Sequence, residues 1–307
     1  MIKTSRELVT RRGTIPFPAY IPVTTFGTKY PLDSLIRPYL PRLAPAVMVS
    51  YYYARQMMEP PQLPLMVDSG GFTSLFEGTR VIRQSGLGVL RVRRDNKLET
   101  IHPRDVLELQ EAIADVAFPL DFPVPPGADL KEARQRQRLT VANALWALAN
   151  RRRRDLPLFA PVQAWDAESA RECARQYRGA DFDGIAVGGL VPRARDLDMV
   201  LAIIEAVRSE VSDLPLHVFG LGKPEMIGAL YNAGADSVDS SSYVQLAADG
   251  RLWSNPALRI HEPSPTDRLH LALCNLATAT MHTLPLSMSG MAFSTYSLIS
   301  HNERAAS

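Results

Sequence analysis

The sequence predicts an α/β protein of the (β/α)8 TIM-barrel class, with a hairpin-like insertion after the third strand and a short helical extension at the C-terminus. Three observations predict it. Eight short apolar runs recur along the chain, and most are separated by stretches with the apolar spacing of amphipathic helices. The 307 residues, 46% of them hydrophobic, suffice for one large core. Strands that alternate with helices pair in parallel, and eight repeats of the unit point to a closed barrel.

The runs, in chain order, are Ala19–Thr24, Ala46–Ser50, Leu65–Asp68, Val116–Phe122, Leu158–Ala164, Gly184–Gly189, Leu216–Gly222 and Ser237–Ser241. Helical spacing is clearest over Pro103–Ala114, Leu130–Asn150, Ala167–Tyr177, Leu197–Val211 and Pro224–Ala233. Two segments interrupt the alternation. Over Phe76–Glu99, Gly78, Gly86 and Gly88 punctuate alternating apolar and basic residues, the pattern of a hairpin. After Trp253, Pro256, Pro263 and Pro265 precede an apolar helix from Arg268 to about Met281, and a Ser-rich stretch from Met288 onward is expected to order only on a partner. The expected division is a barrel over 1–255 and an extension over 256–307.

Composition excludes several classes. With 34 basic and 32 acidic residues the formal charge is +2, so no global field points to nucleic acid or to a membrane. Cys173 and Cys274 are too few for a disulfide scaffold and form no metal-type cluster. Met1 to Gly13 is polar, and no run reaches the roughly 18 apolar residues of a membrane span. A cytoplasmic protein without membrane contact is expected.

Reactive groups in a parallel barrel gather where strands end, so the polar residues that terminate the apolar runs are informative. The third run ends in Asp68-Ser69-Gly70-Gly71-Phe72, the fourth in Asp121, and the fifth in Gln163. The sixth ends in Gly188-Gly189-Leu190, the seventh in Phe219-Gly220-Leu221-Gly222, and the eighth in Asp239. Singly, each has a bland reading: an aspartate caps a helix, paired glycines permit a turn, a buried glutamine satisfies backbone. Together they place two reactive carboxylates, a third acid, an amide and flexible backbone at one mouth.

These motifs resemble the tRNA-guanine transglycosylase family, from Ile15 to about Thr278. Val67 to Phe72 looks like the family's general acid/base motif, and Phe118 to Pro126 looks like its guanine-reading segment. Val162-Gln163 and Ala186 to Leu190 are similar to two further base-reading strands. Gly220 to Glu225, then Gly234 to Asp239, resemble the path into the nucleophilic aspartate. The Asp239 to Tyr243 and Asp249 to Arg251 segments look closer to the archaeal branch, which inserts preQ0, than to the bacterial one. The resemblance implies that Asp239 is the nucleophile and Asp68 the general acid/base. It also implies that Asp121, Gln163, Gly188, Gly189 and Leu190 read the base, with Ser69, Gly70 and Gly71 beside it.

The residue types suit this chemistry. Cleaving a bond to guanine develops oxocarbenium character at C1′, which a carboxylate stabilises and captures. A second carboxyl moves the proton. Asp121 accepts from N1–H and the exocyclic amine while Gln163 and the Gly189 amide donate to O6, a pattern adenine fails. Phe72 and Phe219 are expected to sandwich the extruded base.

The sequence departs from the family at its zinc subdomain. The C-x-C-x2-C cluster is absent, and Cys274 in Leu273-Cys274-Asn275-Leu276 stands where the family has a zinc-ligating histidine. One thiol cannot replace four ligands, so neither zinc nor another cofactor is expected. The leading expectation is therefore exchange of guanine for a preQ0-type 7-deazaguanine in DNA, with protein partners that open the duplex. A tRNA substrate is the alternative, and an inactive binding barrel is the third reading, which the presence of both Asp68 and Asp239 opposes. Of the basic clusters, Arg91, Arg93 and Arg94, then Arg134, Arg136 and Arg138, and Arg151 to Arg154 read as solvated surface. Arg193 and Arg195 follow the sixth strand and are expected to contact nucleic-acid phosphates.

Overall fold

A computed structural model describes residues 7–27, 30–94 and 97–281. Eight short strands run parallel: β1 (Ala19–Pro22), β2 (Val47–Ser50), β3 (Leu65–Asp68), β4 (Val116–Ala117), β5 (Phe159–Gln163), β6 (Gly184–Gly188), β7 (Leu216–Val218) and β8 (Ser237–Ser240). They form two sheets, ordered β5-β6-β7-β8-β1 and β2-β3-β4. Isolated parallel bridges join Val23 to Met48 and Ala117 to Leu158, between β1 and β2 and between β4 and β5. Every residue of β1, β5, β6 and β8 is buried, as expected of parallel strands covered on both faces.

Alternation along the strands separates two cores. Ala19, Ile21, Met48, Met66, Val116, Phe159 and Ala186 share one apolar cluster. Their neighbours Tyr20, Val47, Val49, Leu65, Val67, Ala117, Ala160, Val162, Ile185 and Val187 join a second, larger cluster with the helices. Successive side chains point to opposite faces, so six strands contribute to both. On β7 and β8 the first face is polar: His217, Ser237 and Asp239 are all buried there.

The fourth run is shorter than expected, ending at Ala117 because Pro119 has no N–H for a ladder. Its irregular continuation is held by side chains. Gln110 Nε2 donates to the carbonyls of Val67 and Phe118 at 2.9 and 2.7 Å, Asn143 Nδ2 to that of Leu120 at 2.8 Å, and Thr140 Oγ accepts from Phe122 N–H at 3.0 Å. Three helical residues thus satisfy buried backbone that no strand pairs, and so position Asp121.

The insertion has three antiparallel strands, Thr79–Gln84, Leu87–Arg94 and Lys97–Ile101, where a hairpin is expected. The third strand forms because Ile101 pairs with Leu90 and buries with it against Tyr51, Leu120 and Phe122. Gly88 docks the sheet. Its N–H donates to Asn143 Oδ1 at 2.9 Å and its carbonyl accepts from Nδ2 at 3.0 Å, while a Cβ there would lie 2.2 Å from the Phe122 ring. An antiparallel pair, Glu7–Thr10 with Gly13–Pro16, also forms in what reads as a polar N-terminus.

The last described helix, Pro265–Met281, begins three residues before the expected Arg268 and buries Leu271, Ala272, Cys274 and Leu276 in the large core. Asn275 stitches it down, accepting from Trp253 N–H at 2.8 Å and donating to the carbonyls of Tyr243 and Arg251 at 3.2 Å. The Ser-rich stretch from Met288 lies outside the described residues. Arg151 is not solvated as its cluster suggests: it is buried and donates to Asp183 Oδ2 at 2.7 Å. No helix among the described residues is long and apolar enough to cross a membrane.

Candidate active site

A cavity of about 800 Å³ opens at the C-terminal ends of the parallel strands. Asp68, Gly70, Phe72, Asp121, Gln163, Gly188, Gly189, Phe219 and Asp239 all line it. Ser69 and Gly71 act from behind. Ser69 Oγ donates to Asp121 Oδ1 at 2.5 Å and accepts from Gly71 N–H at 3.0 Å. A Cβ on Gly71 would sit 2.0 Å from the Asp121 carbonyl oxygen, so only glycine permits that approach. Leu190, expected at the base, is fully buried in the large core, so any contact from this position comes from backbone.

Asp239, the penultimate residue of β8, is almost fully buried. Its Oδ1 accepts the Gly220 N–H at 3.0 Å and lies 3.0 Å from His217 Nε2, while His217 Nδ1 lies 2.8 Å from Ser237 Oγ. With its proton on Nε2, His217 donates to Asp239 and accepts from Ser237. No hydrogen bond reaches Oδ2 from the described residues, so one oxygen is held and the other is available. His217 and Gly220 are roles that strand-end reasoning misses. The available signal is a single polar residue inside Leu216-His217-Val218 and a glycine just beyond it. Replacing His217 with Phe is expected to lower kcat about ten- to a hundredfold with little change in KM, because a buried acceptor loses one donor; steady-state kinetics check this.

Asp68 ends β3, with Gly70 N–H 3.2 Å from its Oδ2. Burial, then the charge of Asp121 and, less, that of Asp239, push its carboxyl up to about 7. At neutral pH it is therefore divided between acid and base, the condition under which one group both gives and takes a proton. Asp121 is also raised by burial, offset by hydrogen bonds from Ser69 and Gln163. Two neighbours with raised values in one cleft mark a functional site.

Gln163 lines the cavity as expected and also pairs with Asp121. Its Nε2 donates to Asp121 Oδ2 in a very short contact, and its Oε1 is buried with no partner among the described residues. One N–H of the amide thus faces the neighbouring acid, and the second is left to donate elsewhere. Gly188 is where the amide presses closest, a Cβ there lying 2.4 Å from Nε2.

Phe219 meets Phe118 and His217 edge-on, with centroids 4.9 Å apart in both cases. Phe72 is 40% exposed and meets Phe76 edge-on at 5.6 Å, so one ring is braced by the core and the other stands at the rim. Arg193, expected at a phosphate, is engaged through one of its nitrogens. It is half-buried, and Nη1 donates to the carbonyls of Val124 and Gly189 at 2.9 and 2.8 Å, bracing the segments that follow β4 and β6. Arg195 is exposed in a neighbouring cavity.

The described residues do not offer the ligand set of the family's structural zinc. Cys274 is buried in the apolar core, which raises its thiol to about 11, and among the described residues no three His, Cys, Asp or Glu side chains converge.

Comparison with known proteins finds the following relatives. The tRNA-guanine(15) transglycosylase of Haloferax volcanii is 35% identical over 155 residues, covering 48% of this chain and 29% of the relative. That of Methanococcus aeolicus is 29% identical over 199 residues, covering 62% and 30%. The Queuine tRNA-ribosyltransferase of Acidithiobacillus ferrooxidans is 26% identical over 263 residues, covering 79% and 69%. The chain thus matches less than a third of these two archaeal relatives' length. The family described as Queuine tRNA-ribosyltransferase matches residues 42–284. With the match running over most of the chain, the protein belongs to the tRNA-guanine transglycosylase family.

Proposed function

We propose that this protein exchanges a guanine in nucleic acid for a 7-deazaguanine of the preQ0 type, through a covalent intermediate on Asp239. The observation that carries this reading is the asymmetry of Asp239: Oδ1 is held by Gly220 and His217 while Oδ2 is free, in a cavity shared with Asp68 and Asp121. Oδ2 attacks C1′ as the C1′–N9 bond breaks, and Asp68 protonates the departing base. The incoming base then gives its N9 proton to ionised Asp68, N9 attacks C1′, and Asp239 leaves as carboxylate. Asp121 selects guanine by accepting from N1–H and the exocyclic amine with its remaining lone pairs, while the second N–H of Gln163 donates to O6. We further infer that the eight strands close into one (β/α)8 barrel, which the two bridges between the sheets and the separate core of alternate residues support.

For the polymer, the names of the relatives favour tRNA. DNA is the second reading, favoured by one observation: the cysteine cluster of the family's zinc subdomain is absent. In either polymer the guanine must leave its stack to reach the cavity, and a duplex must first be opened. Exchange of labelled guanine into matched RNA and DNA oligonucleotides, at several salt concentrations, tests both. RNA is expected to be preferred by about tenfold or more, about 1.4 kcal/mol. An equal preference for DNA would reverse the order. Absence of exchange on both would end the transglycosylase reading.

A further inference from the structure

Beside the catalytic cavity lies a second one, of about 540 Å³. Pro123 and Val191 line the first, and their chain neighbours Val124 and Pro192 line the second. Adjacent Cα atoms are about 3.8 Å apart, so the partition is one residue thick at two places. It is also fixed. Arg193 bonds the carbonyls of Val124 and Gly189, and Arg136 Nη1 donates to that of Pro123 at 3.0 Å.

The lining of the second cavity has a distinct chemistry. Trp165, Pro125 and Pro126 offer flat apolar surface, and Leu130 and Met199 remain 53% and 37% exposed. Arg195 stands exposed, with no hydrogen bond or ion pair to any described residue. Asp196 also lines it, but its Oδ1 is engaged by Met199 N–H at 3.0 Å as a helix cap. An aromatic and proline floor with a free guanidinium suits a planar base attached to an anion: the ring stacks and the phosphate meets the cation. Position selects which base. A polynucleotide whose guanine enters the first cavity carries its adjacent nucleotide past a wall one residue thick.

We propose that the second cavity binds the nucleotide next to the target guanine, its base against Trp165 and its phosphate against Arg195. This rests on the nucleic-acid reading of the catalytic cavity and adds a contact that reads sequence context. Trp165 and Arg195 are binding residues here, remote from the reacting atoms.

The test is a double-mutant cycle between protein and substrate. Single-stranded oligonucleotides with one target guanine are made intact, or abasic at the preceding or following position. Exchange is measured for wild type, Trp165→Ala, Trp165→Phe and Arg195→Ala. Stacking of one base predicts that kcat/KM falls about tenfold for wild type when one of the two neighbours is abasic. Trp165→Ala is expected to lose about the same factor on the intact strand and little more on that abasic strand, so the losses do not multiply. Trp165→Phe keeps most of the rate. Arg195→Ala weakens every strand alike and flattens the salt dependence. Quenching of tryptophan fluorescence by the intact oligonucleotide, reduced in Trp165→Phe, gives a readout apart from turnover. Fully multiplicative losses, or equal exchange with either neighbour abasic, overturn the subsite alone. No exchange by wild type on any strand overturns the transglycosylase reading, and the subsite with it.

Discussion

Asp239→Ala is expected to abolish exchange, by on the order of 10⁴-fold or more, since removal of a covalent nucleophile leaves only binding and positioning. The fold should survive. Asp239 sits one residue before the C-terminal end of β8, and its apolar neighbour Val238 packs in the large core without it. The variant strands the Gly220 N–H and the His217 ring, each a desolvation cost of about 1–3 kcal/mol, so a melting temperature lowered by some degrees is expected. Circular dichroism and thermal melts separate this from unfolding. A denaturation-resistant adduct with nucleic acid, trapped by a base-competitive inhibitor, should form with wild type and not with the variant. Turnover in the variant would remove the covalent step, and a wild-type adduct mapped to another residue would move it elsewhere.

The parallel strands were legible because strands buried on both faces read as continuous apolar runs, and Leu65–Asp68 appears with its expected bounds. What stayed hidden depends on contacts between segments distant in sequence. Asp121 lies beyond its strand, held by Gln110, Thr140 and Asn143 from two helices, and no local pattern encodes those bonds. The third insertion strand depends on Ile101 meeting Leu90 on the neighbouring strand. Site residues at strand ends were legible in type and order, because a parallel architecture brings such ends together. Their pairing was not: Gln163 as partner of Asp121, Arg193 as a brace and His217 behind Asp239 follow from side-chain direction, which composition and spacing leave open.

Asp68→Asn is expected to cut kcat by about 10²- to 10⁴-fold while base binding changes little, because the amide keeps size and polarity but carries no proton to shuttle. The pH dependence identifies the group. Departure of guanine needs Asp68 protonated, and its value of about 7 means that wild-type kcat/KM should fall as pH rises through that point. The residual rate of the variant should lack this limb. Stability gives an independent check with a definite sign. The folded carboxyl titrates near 7 and the unfolded one near an ordinary value of about 4, so between them the folded state holds a proton that the unfolded chain has released. Stability contributed by this group is therefore full below about pH 4, declines as pH rises to about 7, and then levels off. Asn carries no charge and shows no such decline, so its melting temperature relative to wild type should climb across that window and stay constant above it. A pH-independent difference would mean that Asp68 is already ionised in the folded protein well below neutrality, and the acid for guanine departure would have to be sought at Asp121, the other buried carboxyl whose proton is held by its surroundings.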